Sequence, residues 1–280
     1  MGQRFSPDKD DARRLVRVPG WAAAGCAVGL FAALLLAEKR RPLRGRTQPK
    51  GRRMLRNLAL AGVSATALSL LERPVIRPLS ERVARRRQGL LGALRLPLWL
   101  EVPAGVLLLD YTLYVWHVLT HRVPFLWRFH LVHHVDLDLD ASTALRFHFG
   151  ELSLSVAFRA AQVRLLGISP LPLSIWQSLL FLSILFHHSD VRLEPRVEAW
   201  LSRFLVTPGL HGIHHGAEVQ DTDSNWSSGL SIWDRLHGTF RARGEASAIG
   251  VPAYRDEGEL TLPRLLALPF RAQRRSFPRP

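Results

Sequence analysis

The chain has 280 residues, 47% of them hydrophobic, and a formal net charge of +15. That length accommodates one domain of ordinary size or one membrane bundle with a polar cap. The single cysteine, Cys26, excludes a disulfide framework and any cysteine-based zinc or iron–sulfur site. Any metal site must therefore use nitrogen and oxygen ligands. Cys26 itself lies in an apolar run, and we expect it to be a small buried residue.

The basic residues lie at the edges of apolar runs, chiefly within residues 39–53 and 85–87. Anionic headgroups attract basic segments of this kind, whereas no basic patch is interleaved with aromatic residues as in nucleic-acid-binding proteins. We therefore predict a membrane protein that does not bind nucleic acid. The densest basic loop, residues 38–53, should be cytoplasmic. Residues 73–95 are also basic, which leaves the orientation of the amino terminus open.

The first two apolar regions predict membrane helices. Residues 18–37 are nearly continuous apolar sequence, about the 20 residues that span a bilayer. Residues 58–71 form a shorter run, which we expect to end at Pro74 and Pro78 because proline interrupts helices. The charged residues 81–88 should lie at the membrane interface.

The third apolar run, residues 96–119, contains Glu101 and Asp110. A carboxylate inside a span tends to face the protein interior. Asp110 lies two helical turns before His117. It therefore either shares a face with this histidine or pairs with an arginine at the interface.

The fourth apolar region, residues 152–186, is divided by a stretch rich in glycine and proline. This pattern predicts a helical hairpin with a turn near Ser169 and Pro170. Arg159 and Arg164 favour a hairpin that penetrates only part of the bilayer.

All twelve histidines fall between His117 and His237. Imidazoles in or beside apolar helices are costly unless they have a function. Spacings of three or four residues place two side chains on one helix face, close enough to share a metal. Adjacent histidines diverge by ~100 degrees and can reach different metals. Three clusters have these spacings: His117 and His121; His130, His133 and His134; His211, His214 and His215. Eight imidazoles exceed the needs of one metal, so the spacing predicts two.

Four histidines lie outside the three clusters. We expect His148 and His188 to add ligands or to orient them, because they lie between the clusters along the chain. The role of His187 stays open, and we expect His237 to be structural. Zinc, iron and copper all accept imidazole. So many histidines fit a dinuclear iron centre for oxygen chemistry better than a zinc site, which normally closes with four ligands.

The ordered histidine clusters resemble the fatty acid hydroxylase superfamily, which includes the sterol desaturases. The resemblance covers roughly residues 105–240. It extends to shorter elements at Arg128 to His134, Arg146 to His148 with Glu151, His188 to Asp190, Asp223 with Asn225 and Trp226, and Ser231 to Asp234 with Gly238 and Thr239. Three residues depart from the family pattern: Asp190 stands for Asn, Phe149 where Pro is frequent, and His237 where Phe is usual. The first departure concerns the hydrogen bonding around His188.

The resemblance implies an all-α fold, a polytopic membrane helical bundle with a cytosolic histidine-rich cap that holds two iron ions. It implies O2-dependent hydroxylation or desaturation of a fatty acyl, sterol or carotenoid-like lipid. The implied metal ligands are His117, His121, His130, His133, His134, His148, His188, His211, His214 and His215. Zinc could replace iron in a purified sample. The expected location is the cell inner membrane, with the metal site facing the cytoplasm.

No haem, flavin or iron–sulfur motif occurs in the sequence. We therefore expect a separate electron donor, a ferredoxin or cytochrome with its reductase. We divide the chain into membrane helices with basic loops at 1–95, a catalytic domain at 96–243 and a tail at 244–280. The short apolar segment 260–270 of the tail is expected to lie on the membrane.

Several side chains near the clusters allow two interpretations. Asp223 and Asn225 either support the last histidine cluster or form a turn. Four aromatic residues either line the mouth of a lipid tunnel or anchor the chain at the interface. These four are Phe125, Trp127, Trp176 and Trp226.

Two other functions are compatible with the sequence. One is a membrane metal transporter or sensor, although its ligands would be spread across the spans. The other is a zinc-dependent membrane hydrolase, which would need a general base such as Glu151 near the metal. The excess of histidines argues against the hydrolase.

Overall fold

A computed structural model describes residues 20–242 and 248–277. The charged amino-terminal segment, the start of the first apolar run and the boundary drawn at 243 and 244 lie outside the described residues. Within them the regular structure is helical, accompanied by three isolated bridges. The α-helices are α1 Gly20–Arg40, α2 Lys50–Arg86, α3 Gly89–Leu94, α4 Leu98–Arg122, α5 Pro124–His134, α6 Phe149–Leu166, α7 Pro170–His188, α8 Pro195–Leu201, α9 Pro208–His214, α10 Val219–Thr222, α11 Ile232–Leu236 and α12 Leu262–Ala267. The predicted all-α fold is confirmed.

Three helical segments of the described chain are long and apolar enough to cross a membrane. They are Lys50–Leu94, Leu98–Arg122 and Pro170–His188. These segments contain three of the predicted apolar runs, and they support the predicted membrane bundle. Helix α1 contains Cys26, which is exposed rather than buried. On an apolar helix such a residue can face lipid, so an apolar neighbourhood in the sequence did not imply burial in the protein.

The prediction that Pro74 and Pro78 end the second helix was wrong, because α2 continues through both to Arg86. The two prolines are four residues apart, and both are exposed. Ile76, which lies between them, and Ser80, two residues after Pro78, are buried. Ser80 Oγ donates a hydrogen bond to the carbonyl of Ile168 at 2.9 Å. Packing along this buried face outweighs the hydrogen bonds that the prolines cannot make.

Helices α6 and α7 follow one another with a turn at residues 167–169, where the sequence predicted a turn. Helix α7 is long and apolar enough to cross a membrane, whereas the sequence favoured a hairpin that penetrates only part of it. Two glycines with positive φ, Gly89 and Gly167, bring the start of α3 against this turn. A Cβ on Gly167 would lie 2.5 Å from the carbonyl oxygen of Gln88. The close approach therefore requires glycine at this position.

The carboxy-terminal segment, residues 260–270, packs partly against the rest of the protein and is partly exposed. Leu260 and Leu265 are almost fully buried against Leu131 and Val132 of α5. Phe270, at the end of the segment, is a large hydrophobic residue that is 64% exposed. The expectation that residues 260–270 simply lie on the membrane was therefore incomplete.

A cluster of buried charges joins the start of α2 to the loop after α5. Arg53 is 3% exposed and donates to Asp136 at 2.8 Å and to Asp140. Asp138, within 4.0 Å of Arg53, also accepts the backbone N–H groups of Thr47 and Gln48. Part of the basic loop assigned to headgroups therefore neutralises an acidic loop of the protein itself, which sequence inspection did not reveal.

Asp110 matches neither of its two interpretations. Its carboxylate accepts hydrogen bonds from the indole of Trp233 at 2.7 Å and from the backbone N–H of Leu230 at 3.1 Å. It therefore ties the middle of α4 to the loop before α11 and takes no part in the histidine clusters.

We predict that Arg53→Met destabilises the protein by about 3–5 kcal/mol, because three buried carboxylates lose the guanidinium that they share. The measurement is thermal unfolding of the full chain in detergent. Arg52→Met is the control, since Arg52 is the exposed neighbour. Equal melting temperatures for the two variants would show that the charge cluster does not stabilise the fold.

Candidate metal centre

Histidines converge from the carboxyl ends of four helices. His117 and His121 lie in the last two turns of α4, and His133 and His134 end α5. His188 ends α7, and the last cluster lies on α9 and the residue after it. The carboxyl end of a helix carries partial negative charge and favours a nearby cation. The chain thus directs four helix ends, and their imidazoles, to one place.

The histidine nitrogens form two groups, each with ligand atoms within 4.8 Å of one another. The first group is His117, His121, His130, His134 and His214; the second is His133, His188, His211 and His215. The adjacent histidines of the second and third clusters fall in different groups, as the helical geometry required. All eight histidines of the three clusters are included, and His188 joins them.

The ring nitrogens face each other closely in the second group. His188 Nε2 lies 3.0 Å from the Nε2 atoms of both His133 and His211, and His215 Nε2 lies 3.1 Å from that of His211. His188 Nδ1 donates to the carbonyl of Ile184 at 2.8 Å, so in the neutral ring Nε2 holds a lone pair. Ring nitrogens gathered this closely around the lone pair of His188 fit a shared cation.

Hydrogen bonds also fix the imidazoles of the first group. His117 Nδ1 donates to the carbonyl of Trp226 at 2.6 Å, and His214 Nδ1 donates to that of Ser224 at 2.8 Å. Each bond places the proton on Nδ1 and leaves Nε2 as the ligand atom. The Nε2 atom of His214 is buried without a hydrogen-bond partner in the described chain, as expected of a metal ligand.

Glu151 and Phe147 position two further ligands. Glu151 Oε1 accepts from His130 Nδ1 at 2.8 Å, the arrangement in which a carboxylate raises the basicity of a ligating histidine. Phe147 stacks on His133, with ring centroids 4.4 Å apart. Residues in the first turn of α6 and just before it thus support one histidine of each group.

The loop after α10 presents the two carbonyls that orient the first group. Asn225, between them, has a left-handed φ of 50° and donates to the carbonyl of Leu210 at 3.1 Å. Asp234 accepts the N–H groups of Trp226 and Ser227 at 2.9 and 3.0 Å. Asn225 is thus both a turn residue and a support of the last cluster. Asp234, which the sequence placed in a family element without giving it a role, is a further supporting residue.

Asp223 and Asp190 have other partners. Asp223 lies 3.3 Å from the Arg122 guanidinium on the surface, beyond the histidines. Asp190 accepts the backbone N–H of Arg44 at 2.9 Å, and burial raises its pKa to about 6. Asp190, which stands where the family has Asn, therefore binds the basic loop. The hydrogen bond from His188 Nδ1 to the carbonyl of Ile184 is still made.

Three histidines lie outside both groups. His148 accepts from the N–H of Gly150 at 2.9 Å, which caps α6, and its Nε2 donates to the carbonyl of Leu266 at 3.2 Å. With both nitrogens engaged, the structure does not place His148 as a ligand, contrary to expectation. His187 packs 4.1 Å from the His211 ring. His237 is exposed and stacks on Tyr111 and Tyr114, in keeping with a structural role.

An apolar cavity of about 420 Å³ opens onto the histidines. Its lining includes His117 and His130 of the first group and His133, His188 and His211 of the second. Of the four aromatic residues considered for a tunnel, Trp176 lines this cavity. The lining does not include Phe125, Trp127 or Trp226.

Burial keeps five of the imidazoles outside the candidate spans neutral. It lowers the pKa of His214 to about 3 and those of His133, His134, His211 and His215 well below the usual value. Neighbouring histidines act in the same direction. Neutral imidazole is the form that binds metal, so the ligands are ready for metal at neutral pH.

We predict that the metal-free protein loses stability as the pH falls from about 6.5 toward 3. An unfolded histidine binds its proton near pH 6.5, whereas the buried rings do not, so the unfolded state takes up more protons in that window. The melting temperature of the metal-free chain should therefore be lower at pH 5.5 than at pH 7.5. His214→Asn should reduce the difference and His237→Asn should leave it unchanged; equal melting temperatures at both pH values would contradict the prediction.

Comparison with known proteins agrees with this architecture. The family model for fatty acid hydroxylases matches residues 102–239. Ornithine lipid hydroxylase OlsE of Rhizobium tropici is 33% identical over 179 residues, which cover 62% of this chain and 51% of that protein. Alkylglycerol monooxygenase of Homo sapiens is 32% identical over 55% of this chain and 33% of that protein.

Cholesterol 25-hydroxylase of Homo sapiens is 30% identical over 49% of both chains. The chain thus spans about half the length of the curated relatives it matches, or less. No solved structure matches it significantly. The matched region begins in α4, ends after α11 and contains all nine grouped histidines. This region of the chain, residues 102–239, therefore belongs to the fatty acid hydroxylase family.

Proposed function

We propose that the chain uses O2 to hydroxylate a C–H bond of a membrane lipid at two iron ions held by the nine grouped histidines. The observation that carries the proposal is the opening of an apolar cavity onto both histidine groups. Its volume lies in the range of small-molecule sites. The relatives bear names of hydroxylases and monooxygenases, which favours hydroxylation over desaturation.

Iron, when bound, would supply the activation of O2 with electrons from a separate donor. The first group would hold one ion and the second group the other. The carbonyls of Ser224 and Trp226 and the carboxylate of Glu151 would fix the ligand tautomers. The apolar walls of the cavity would hold the hydrocarbon and exclude water from the reacting carbon.

We further propose that the metal centre faces the cytoplasm of the cell inner membrane. The basic loop 38–53 lies at the same end of the bundle: Arg44 donates to the carbonyl of Pro208 at 2.6 Å, beside the last histidine cluster. The positive-inside rule places such a loop in the cytoplasm. A ferredoxin or cytochrome with its reductase could reach the centre from there.

The competing functions fit the arrangement less well. A transporter needs ligands along a path through the membrane, whereas both histidine groups lie at one end of the helices. A zinc hydrolase would use Glu151 as its base, but Glu151 Oε1 accepts the hydrogen bond of His130 Nδ1 and so orients a ligand. Nine converging imidazoles are also more than one zinc ion binds.

We predict that the purified chain binds two metal ions and that His133→Ala and His214→Ala each abolish activity and lower the metal content. These residues belong to different groups, so each variant should retain about one ion. The measurement is metal analysis by mass spectrometry with reconstitution by iron. His237→Ala is the control and should keep both ions, and His148→Ala should do the same.

We predict that cells containing the chain accumulate a lipid heavier by one oxygen atom. Lipid profiling by mass spectrometry, with and without the chain, would identify it. Purified enzyme with a reductant and that lipid should consume O2, and His214→Ala should not. A lipid that loses two hydrogens would indicate desaturation instead. One exchangeable metal and no substrate-dependent O2 uptake would reject the proposed function.

A further inference from the structure

The cavity that opens onto the histidines has a second, polar end. Glu72, Arg159, Trp176 and Gln177 line this end. On α6, Arg159 lies eight residues after Glu151, which contacts the metal ligands. Eight residues of helix correspond to ~12 Å. One continuous cavity therefore joins the metal centre to a distant polar pocket.

This polar end has hydrogen-bond donors without acceptors among the described residues. Arg159 Nε and Nη1 are buried and unpartnered, and so is Trp176 Nε1. The guanidinium lies 4.1 Å above the Trp176 ring, which brings the two donor groups together. The nearby carboxylate of Glu72 accepts from Gln177 Nε2 at 2.6 Å. Buried donors are normally satisfied, most strongly so when they are charged.

We propose that Arg159 and Trp176 bind an oxygen-acceptor group at one end of the lipid, a carboxylate or an ester or amide carbonyl. The planar guanidinium offers parallel N–H groups that match such oxygens, and the indole adds a third donor. The apolar walls, which include Leu113, Leu152 and Leu180, would hold the hydrocarbon between this group and the histidines.

The assignment makes Arg159 a specificity-determining residue and names the substrate class as an amphipathic lipid with an acceptor oxygen. That consequence rests on the proposed lipid oxidation. The carbon presented to the metal centre would lie on the order of ten carbon atoms from the acceptor group, given bond lengths of about 1.5 Å. A hydrocarbon without an acceptor would have no fixed register in the cavity.

The test is equilibrium binding to the metal-free full chain in detergent, which needs no turnover. The probes are stearic acid, its methyl ester and octadecane, and the proteins are wild type, Arg159→Met and Trp176→Phe. Arg164→Met is the matched control, because Arg164 is exposed on the same helix. We expect wild type to bind the acid and the ester roughly 10- to 100-fold more tightly than the hydrocarbon, the usual value of a hydrogen bond to a charged group.

Arg159→Met should remove this preference, and Trp176→Phe should reduce it while keeping the ring. Arg164→Met should bind like wild type. If Arg159→Met does not fold, Trp176→Phe still tests the pocket. Equal binding of the acid and octadecane by wild type would overturn the inference even if the enzyme oxidises lipid. The expected binding order without any oxidation would uphold the pocket and reject the proposed function.

Discussion

The close approach of nine imidazoles, eight of them buried, is the constraint on which the rest of this structure depends. In the second group the Nε2 atoms lie about 3 Å apart, and burial disfavours protonation of His133 and His211. A cation shared by these nitrogens would stabilise them together, and the carboxyl ends of α4, α5 and α7 add partial negative charge around it. The helices must therefore end where they do, with the histidines in their final turns.

The surrounding polar contacts serve to hold this arrangement rigid. Arg146 is fully buried and donates to the carbonyl of Val132, beside His133. Arg53 neutralises the acidic loop that follows α5. Asp234 holds the loop whose carbonyls orient His117 and His214. These charged groups lie just outside the ligands, so the buried polar and ionic contacts stabilise the segments that carry the histidines.

The apolar cavity determines the side from which a lipid chain would reach the metal centre. It leads away from the cap, between α2, α4, α6 and α7, toward the interior of the bundle. A hydrocarbon in it would contact mainly apolar walls. The buried donors of Arg159 and Trp176 lie at the far end of the cavity. That end is therefore polar, whereas the walls between it and the histidines are mainly apolar.

The sequence alone determined the all-α membrane class, the hairpin and the eight clustered histidines, because helical periodicity and ligand spacing are local properties. It could not decide which histidine serves which group, that His148 caps α6, or that α2 continues through Pro74 and Pro78. Those outcomes depend on packing between helices distant in sequence. The tertiary structure alone brought Asp234 and Arg53 to their partners, since hydrogen bonds to backbone carbonyls and between loops leave no periodic pattern in the chain.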